Sequence, residues 1–139
     1  MQGVFFPCAT FAAGLDRFRL ARTRDLAVLV VRAIREAFRV MTSLGIPITP
    51  PGLKIFQRQP EWILVPMLQK AAQRDQIEIA LIGHANAARD EIQHLAREFL
   101  ALRDQSSLQT PAIDRLLPYL DPATPLMADG SKKLRLRWW

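Results

Sequence analysis

Apolar residues recur in steps of three and four across residues 23–44, where Leu26, Leu29, Val30, Ala33, Ile34, Ala37, Phe38, Val40, Met41 and Leu44 share one broad face of an α-helix. Thr23 or Asp25 can cap or charge-match its start. Gly45 followed by Pro47 supplies the stop, because Gly tolerates the left-handed C-terminal conformation and Pro cannot continue the ladder. At 1.5 Å per residue this helix is on the order of 30 Å long, enough to be the spine of a small domain.

The segment "GIPITPPG", residues 45–52, is rich in proline and glycine and reads as an extended connector. A broken helical region follows. Pro60 suits a first turn, Pro66 interrupts the apolar "WILVPML", and "LQKAAQRDQIEIALIG" can continue as helix to Gly83. A further helix is predicted over residues 85–103, with Ala88, Ile92, Leu95, Phe99 and Leu102 forming a narrow seam. A short last helix opens with Thr110 as cap and Pro111 in its first turn, and buries Ile113, Leu116 and Leu117. Only "KLRLR" in the tail alternates as a strand would. The pattern predicts an all-α helical bundle over residues 1–121 and a basic, Trp-ended tail over residues 122–139, without internal repeats.

Half of the 139 residues are apolar, so one packed core is attainable without staples. The lone cysteine, Cys8, can form neither an internal disulfide nor a multi-cysteine metal site, which fits a reducing, cytoplasmic location. The longest apolar run, Leu26 to Val31, is far short of the roughly 20 residues needed to span a bilayer. No membrane association is expected. The N-terminal "MQGVFFPCATFAAG" has no basic region before its apolar patch and reads as core rather than as a secretion signal. The net charge of +6 invites nucleic acid, but much of the excess sits at Arg17, Arg19, Arg22 and Arg24 and at Lys132, Lys133, Arg135 and Arg137. The tail "SKKLRLRWW" could bind phosphate and stack bases, yet a segment so short is more often a free end or a local docking strand. Nucleic acid is therefore not the expected partner.

Candidate chemistry is sparse. Glu91 lies roughly 60° off the centre of the predicted seam, on the shoulder shared with His84 and Glu98, where a carboxylate can line a cleft or simply flank an amphipathic helix. Glu91 and His94 have one copy of a carboxylate–imidazole spacing that di-metal carboxylate bundles use twice, so no metal site is expected. His84 and His94 lack a third histidine for zinc. Ser106, Ser107 and Cys8 have no neighbouring base, and no glycine-rich phosphate loop occurs, so the chain holds no identifiable catalytic residue and binds no cofactor alone.

The blocks "RAIREAFRVMTSLGIPI" and "ARDEIQHLAREFLALRDQSSLQTPAIDRLLPYL" resemble the helical C-terminal domain of the ketopantoate reductase (2-dehydropantoate 2-reductase) family, over roughly residues 4–121. Glu91-Ile92 stands at the distance from Pro111 that the family pattern has. The resemblance implies a bundle of the ketopantoate reductase and 6-phosphogluconate dehydrogenase-like type. It also implies the substrate side of an NADPH-dependent 2-oxo acid reductase of pantothenate biosynthesis. Such enzymes work in a cleft against an N-terminal Rossmann domain, and the resemblance gives Glu91 contact with the substrate hydroxyl or the cofactor ribose. The family's lysine general acid, with its following asparagines, has no counterpart in "MQGVFFPCATFAAG". The expectation is a domain inactive alone, with a homodimer or a separate Rossmann-domain chain as partner and NADPH only in a complete enzyme. The alternative is a non-catalytic helical interaction module.

Overall fold

The computed structural model describes residues 8, 11–14, 17–47, 58–72, 89–121 and 123–136. All regular structure among them is helical: α1 (Arg17–Arg22), α2 (Arg24–Ser43), α3 (Glu61–Ala72), α4 (Arg89–Ser106), α5 (Pro111–Leu116) and a 3-10 turn, Leu117–Leu120. No strand forms among the described residues, and "KLRLR" as far as Leu136 is irregular. None of the described helices is long and apolar enough to cross a membrane.

The spine helix is present, and it is more enclosed than its pattern predicts. From Leu26 to Val31 every residue is buried, so this half of α2 is covered on all sides. One side faces the main core, where Leu26, Leu29, Val30, Ile34 and Phe38 meet Phe11, Leu20, Ile92, Phe99, Ile113 and Leu116. The other side, through Ala27, Val28 and Val31, meets Leu64 and Val65 of α3, with Leu68, Leu134 and Leu136 packed at the margin. An enclosed helix must be apolar all round, which the run from Leu26 to Val31 supplies.

The predicted stop at Gly45 is a paired C-terminal motif. Gly45 adopts φ 74°; its N–H donates to the Thr42 carbonyl at 3.1 Å and that of Ile46 to the Met41 carbonyl at 2.8 Å. Carbonyls of the last turn, which have no N–H four residues on within the helix, are thereby satisfied.

Pro66 does not interrupt α3, which runs through it to Ala72. Pro66 is exposed, as is Trp62 one turn earlier, so the carbonyl that loses its N–H partner is on the side where water can replace it. The continuation expected as far as Gly83 lies outside the described residues beyond Ala72.

Both predicted capping residues do something else. Thr23 donates its hydroxyl to the Arg19 carbonyl at 2.6 Å, and makes no side-chain cap bond to α2. Thr110 precedes α5 without capping it; its hydroxyl accepts from Arg103 Nη1 at 3.2 Å. The cap of α5 comes from another helix. Glu36 of α2, 4% exposed, accepts the N–H of Ala112 at 2.8 Å and that of Ile113 at 3.0 Å. A carboxylate at a helix N-terminus satisfies orphan donors and meets the positive end of the dipole.

Burial pushes the Glu36 carboxyl above its ordinary value of 4.5, against the opposing pull of the Ala112 and Ile113 N–H groups and of the Arg39 charge. The folded chain thus holds a proton that the unfolded chain has released. The stability this contributes is complete below the unfolded pKa and is lost as pH rises through the folded one. The urea midpoint of the wild type should accordingly fall more than that of Glu36→Gln as pH rises from 4.5 towards neutrality; equal slopes would contradict this account. Glu36→Ala, which strands two buried donors, should cost about 2 kcal/mol in the same assay.

Candidate functional site

The helix bearing Glu91 is α4, and its first turn is clamped from below. Arg89 Nη1 donates to the Leu120 carbonyl at 2.8 Å, and Gln93 Nε2 donates to the same oxygen at 2.9 Å. The Arg89 guanidinium also lies over the Phe11 ring, 4.0 Å from its centre, in cation–π contact. Glu91 sits between these anchors in the first turn, exposed, without a hydrogen bond or ion pair to any described residue.

The seam on which its position was reckoned is rotated. Ile92, Ala96 and Phe99 are the buried residues of α4; Leu95 is 39% exposed, and Leu102 is half-buried. Measured from that centre, Glu91 stands about 100° round the helix, facing solvent beside Leu95. Ala96, 4% exposed and part of the main core, takes the inward position that the pattern had given to Leu95. His94 and Glu98 are on this outer side, paired at 3.0 Å across one turn. His84 and Ala88 lie outside the described residues.

A separate open cleft of about 400 Å³ lies at the other end of α4, lined by Arg103, Asp104, Ser107, Leu108, Thr110 and Asp114 among others. It is roughly 20 Å along the helix from Glu91, so the two do not form one site. Its cation is committed: Arg103 contacts Asp114 at 2.6 Å and Asp104 at 3.5 Å, besides Thr110. Ser106 and Ser107 close the helix. Ser106 Oγ donates to the Arg103 carbonyl and accepts the Leu108 N–H, and Ser107 takes the left-handed conformation at φ 58°. Among the described residues no group of three or more His, Cys, Asp or Glu could hold a metal ion.

Glu61 and Glu36 carry buried charge that the pattern did not single out, and Asp25, expected only to cap or charge-match the start of the spine, is buried as well. Glu61, fully buried, is held by Arg32 in a bidentate pair at 2.9 and 3.1 Å that fixes α3 against α2. Asp25, 3% exposed, receives the tail: the Ser131 hydroxyl, the Lys133 N–H at 3.0 Å and the Leu134 N–H at 2.9 Å. Burial opposes ionisation of Asp25, but these donors and the Arg24 charge outweigh it and hold the carboxyl below its ordinary range. Their signal in the sequence is weak, since Asp25, Arg32 and Glu36 are three of six charged residues in α2, beside Arg24, Arg35 and Arg39. An apolar patch faces outward: Trp62, Ile63 and Met67 of α3 are 52%, 36% and 40% exposed.

Searches against protein-family models, curated proteins and solved structures return no match for this chain.

Two outcomes follow from these placements. Glu91→Ala should change the free energy of unfolding, measured by urea titration, by no more than about 0.5 kcal/mol, because nothing described depends on the side chain. Cys8 is fully buried, and mainly through that burial its thiol is pushed up to about 12. Alkylation by iodoacetamide, followed by intact mass, should therefore proceed only as fast as the chain unfolds, and prompt labelling of the native protein would refute this.

Proposed function

We propose that the chain is the helical substrate-side domain of a ketopantoate-reductase-like, NADPH-dependent oxidoreductase, inactive by itself. The observation that carries the reading is the first turn of α4. Its anchors Arg89 and Gln93 are spent on the Leu120 carbonyl while Glu91 between them is presented outward with no described partner. A held but unused carboxylate is suited to accept O–H donors, and both a hydroxy-acid substrate and a cofactor ribose offer them. In this reading Glu91 binds and orients, and the cofactor and the proton donor come from a Rossmann-domain chain. The location is cytoplasmic, with a homodimer or that second chain as partner.

A second reading, the non-catalytic helical interaction module, is favoured by the outward face of α3, where Trp62, Ile63 and Met67 offer an apolar patch of the kind that marks contact surfaces.

Titrating pantoate into the isotopically labelled chain decides between them. The first reading expects shifts confined to Asp90, Glu91, Ile92 and their neighbours, weakened about tenfold or more in Glu91→Gln, and no oxidation of NADPH with ketopantoate by the chain alone. Shifts that are absent, or unchanged by the substitution, or NADPH oxidation by the lone chain, would overturn it.

A further inference from the structure

The outward face of α3 lies beside the tail, and the two together form a surface of one character. Trp62, Ile63, Pro66 and Met67 are exposed. At about 100° per residue they span an arc of roughly 140° opposite the buried Leu64 and Val65, and Lys70, also exposed, falls inside it. Arg58 is exposed just before the helix. The tail borders α3 closely: Leu134 and Leu136 pack against the cluster that holds Leu64 and Val65. One nitrogen, Arg32 Nη2, donates both to Glu61 Oε1 at 3.1 Å and to the Arg135 carbonyl at 2.6 Å. Arg24 donates to the carbonyls of Lys132 at 3.2 Å and Leu134 at 3.1 Å, so the body holds the tail by its backbone. With Leu134 and Leu136 turned to the cluster, the alternate residues Lys133 and Arg135 project away, exposed and without a described partner for their side chains. Across residues 58–72 and 130–136 the sole acid is Glu61, which is buried and held by Arg32. Apolar side chains are thus framed by cations, with no exposed negative charge among them.

We propose that this face rests on the surface of an anionic phospholipid bilayer. Trp62, Ile63 and Met67 enter the headgroup boundary, and Arg58, Lys70, Lys133 and Arg135 meet lipid phosphates. Charge complementarity selects the occupant. A second copy of the chain would set the same cations against these and be repelled. A stable protein interface takes roughly 20–30 residues a side, whereas this face offers four apolar side chains and long cationic ones that keep their stems on apolar ground while their heads reach outward. A helix lying in the plane of a bilayer is bound by that combination, an apolar face with Trp and a rim of Lys and Arg. The proposal departs from the expectation of no membrane association, which rested on the lack of a spanning run; a helix that lies on a bilayer needs none. It is independent of Glu91 and gives the α3 face a different occupant from the protein partner of the second reading.

The test is flotation of the intact chain with lipid vesicles at about 0.1 M salt, where surface charge is only partly screened. Phosphatidylcholine vesicles with about one-third phosphatidylserine should carry the chain, and vesicles of phosphatidylcholine alone should bind it about tenfold less or weaker still. Trp62→Ala and, at a second exposed position, Met67→Gln should each lower the partition about threefold or more in chains whose urea midpoints show them folded. Arg135→Glu should lower it about fivefold or more, whereas Arg97→Glu, an equal change of net charge on the exposed side of α4, should stay within about twofold. No binding to the mixed vesicles would overturn the proposal, as would binding indifferent to both Trp62→Ala and Met67→Gln, or equal weakening by Arg97→Glu and Arg135→Glu. A chain that ignores vesicles yet binds soluble polyglutamate would assign the face to an acidic polypeptide and overturn it as well.

Discussion

The stretch of α2 from Leu26 to Val31 is apolar on every side, and a helical segment of that kind is stable only when every side is covered. The chain meets this constraint with elements distant in sequence: α5 and α4 over one face, α3 and the tail over the other. Each of α5, α3 and the tail is held by a buried carboxylate. Glu36 of α2 grips the start of α5, Arg32 of α2 grips Glu61 of α3, and Asp25 of α2 grips the tail. The apolar contacts supply the driving force for enclosure, and the buried polar pairs decide which element lies where.

These pairs differ in how they offset burial. Asp25 collects enough donors to keep its carboxyl more acidic than usual, whereas Glu36, with two N–H groups facing it, stays on the other side of its ordinary value. The difference follows from the number and kind of donors: Asp25 has a hydroxyl and two tail amides with the Arg24 charge close by, and Glu36 has two amides under deeper desolvation. Folding therefore loads these two acids in opposite directions, in adjoining ranges of pH.

The candidate functional surface is built by the same framework. Arg89 and Gln93 fasten the start of α4 to the end of the last turn, and Arg103 fastens its far end to α5. A helix pinned at both ends presents its outward residues in fixed positions, which is what a substrate-facing carboxylate at Glu91 would need. The cleft beside Arg103 is part of that pinning, since its arginine is engaged by Asp114 and Thr110.

Periodicity and punctuation foretold α2, α3, α4 and α5 as helices, where the spine stops at Gly45 and that Pro111 opens a short helix, because those properties rest on backbone preferences local to a few residues, whereas the short α1 was not read from the sequence. The sequence also singled out Glu91 as a charge off an apolar stripe. Only the tertiary structure decided which residues form that stripe. Burying Ala96 and leaving Leu95 outside depends on how α4 docks on the rest of the core, and that turned Glu91 from the shoulder to the solvent side. Nor could local reasoning assign the caps: Thr23 and Thr110 had the right chemistry at the right position, yet the donors of α5 went to a glutamate more than seventy residues away. The tail shows the same limit, for its extended path is fixed by Asp25, Arg24 and Arg32 reading its backbone, an interaction that leaves little trace in the side chains it recognises.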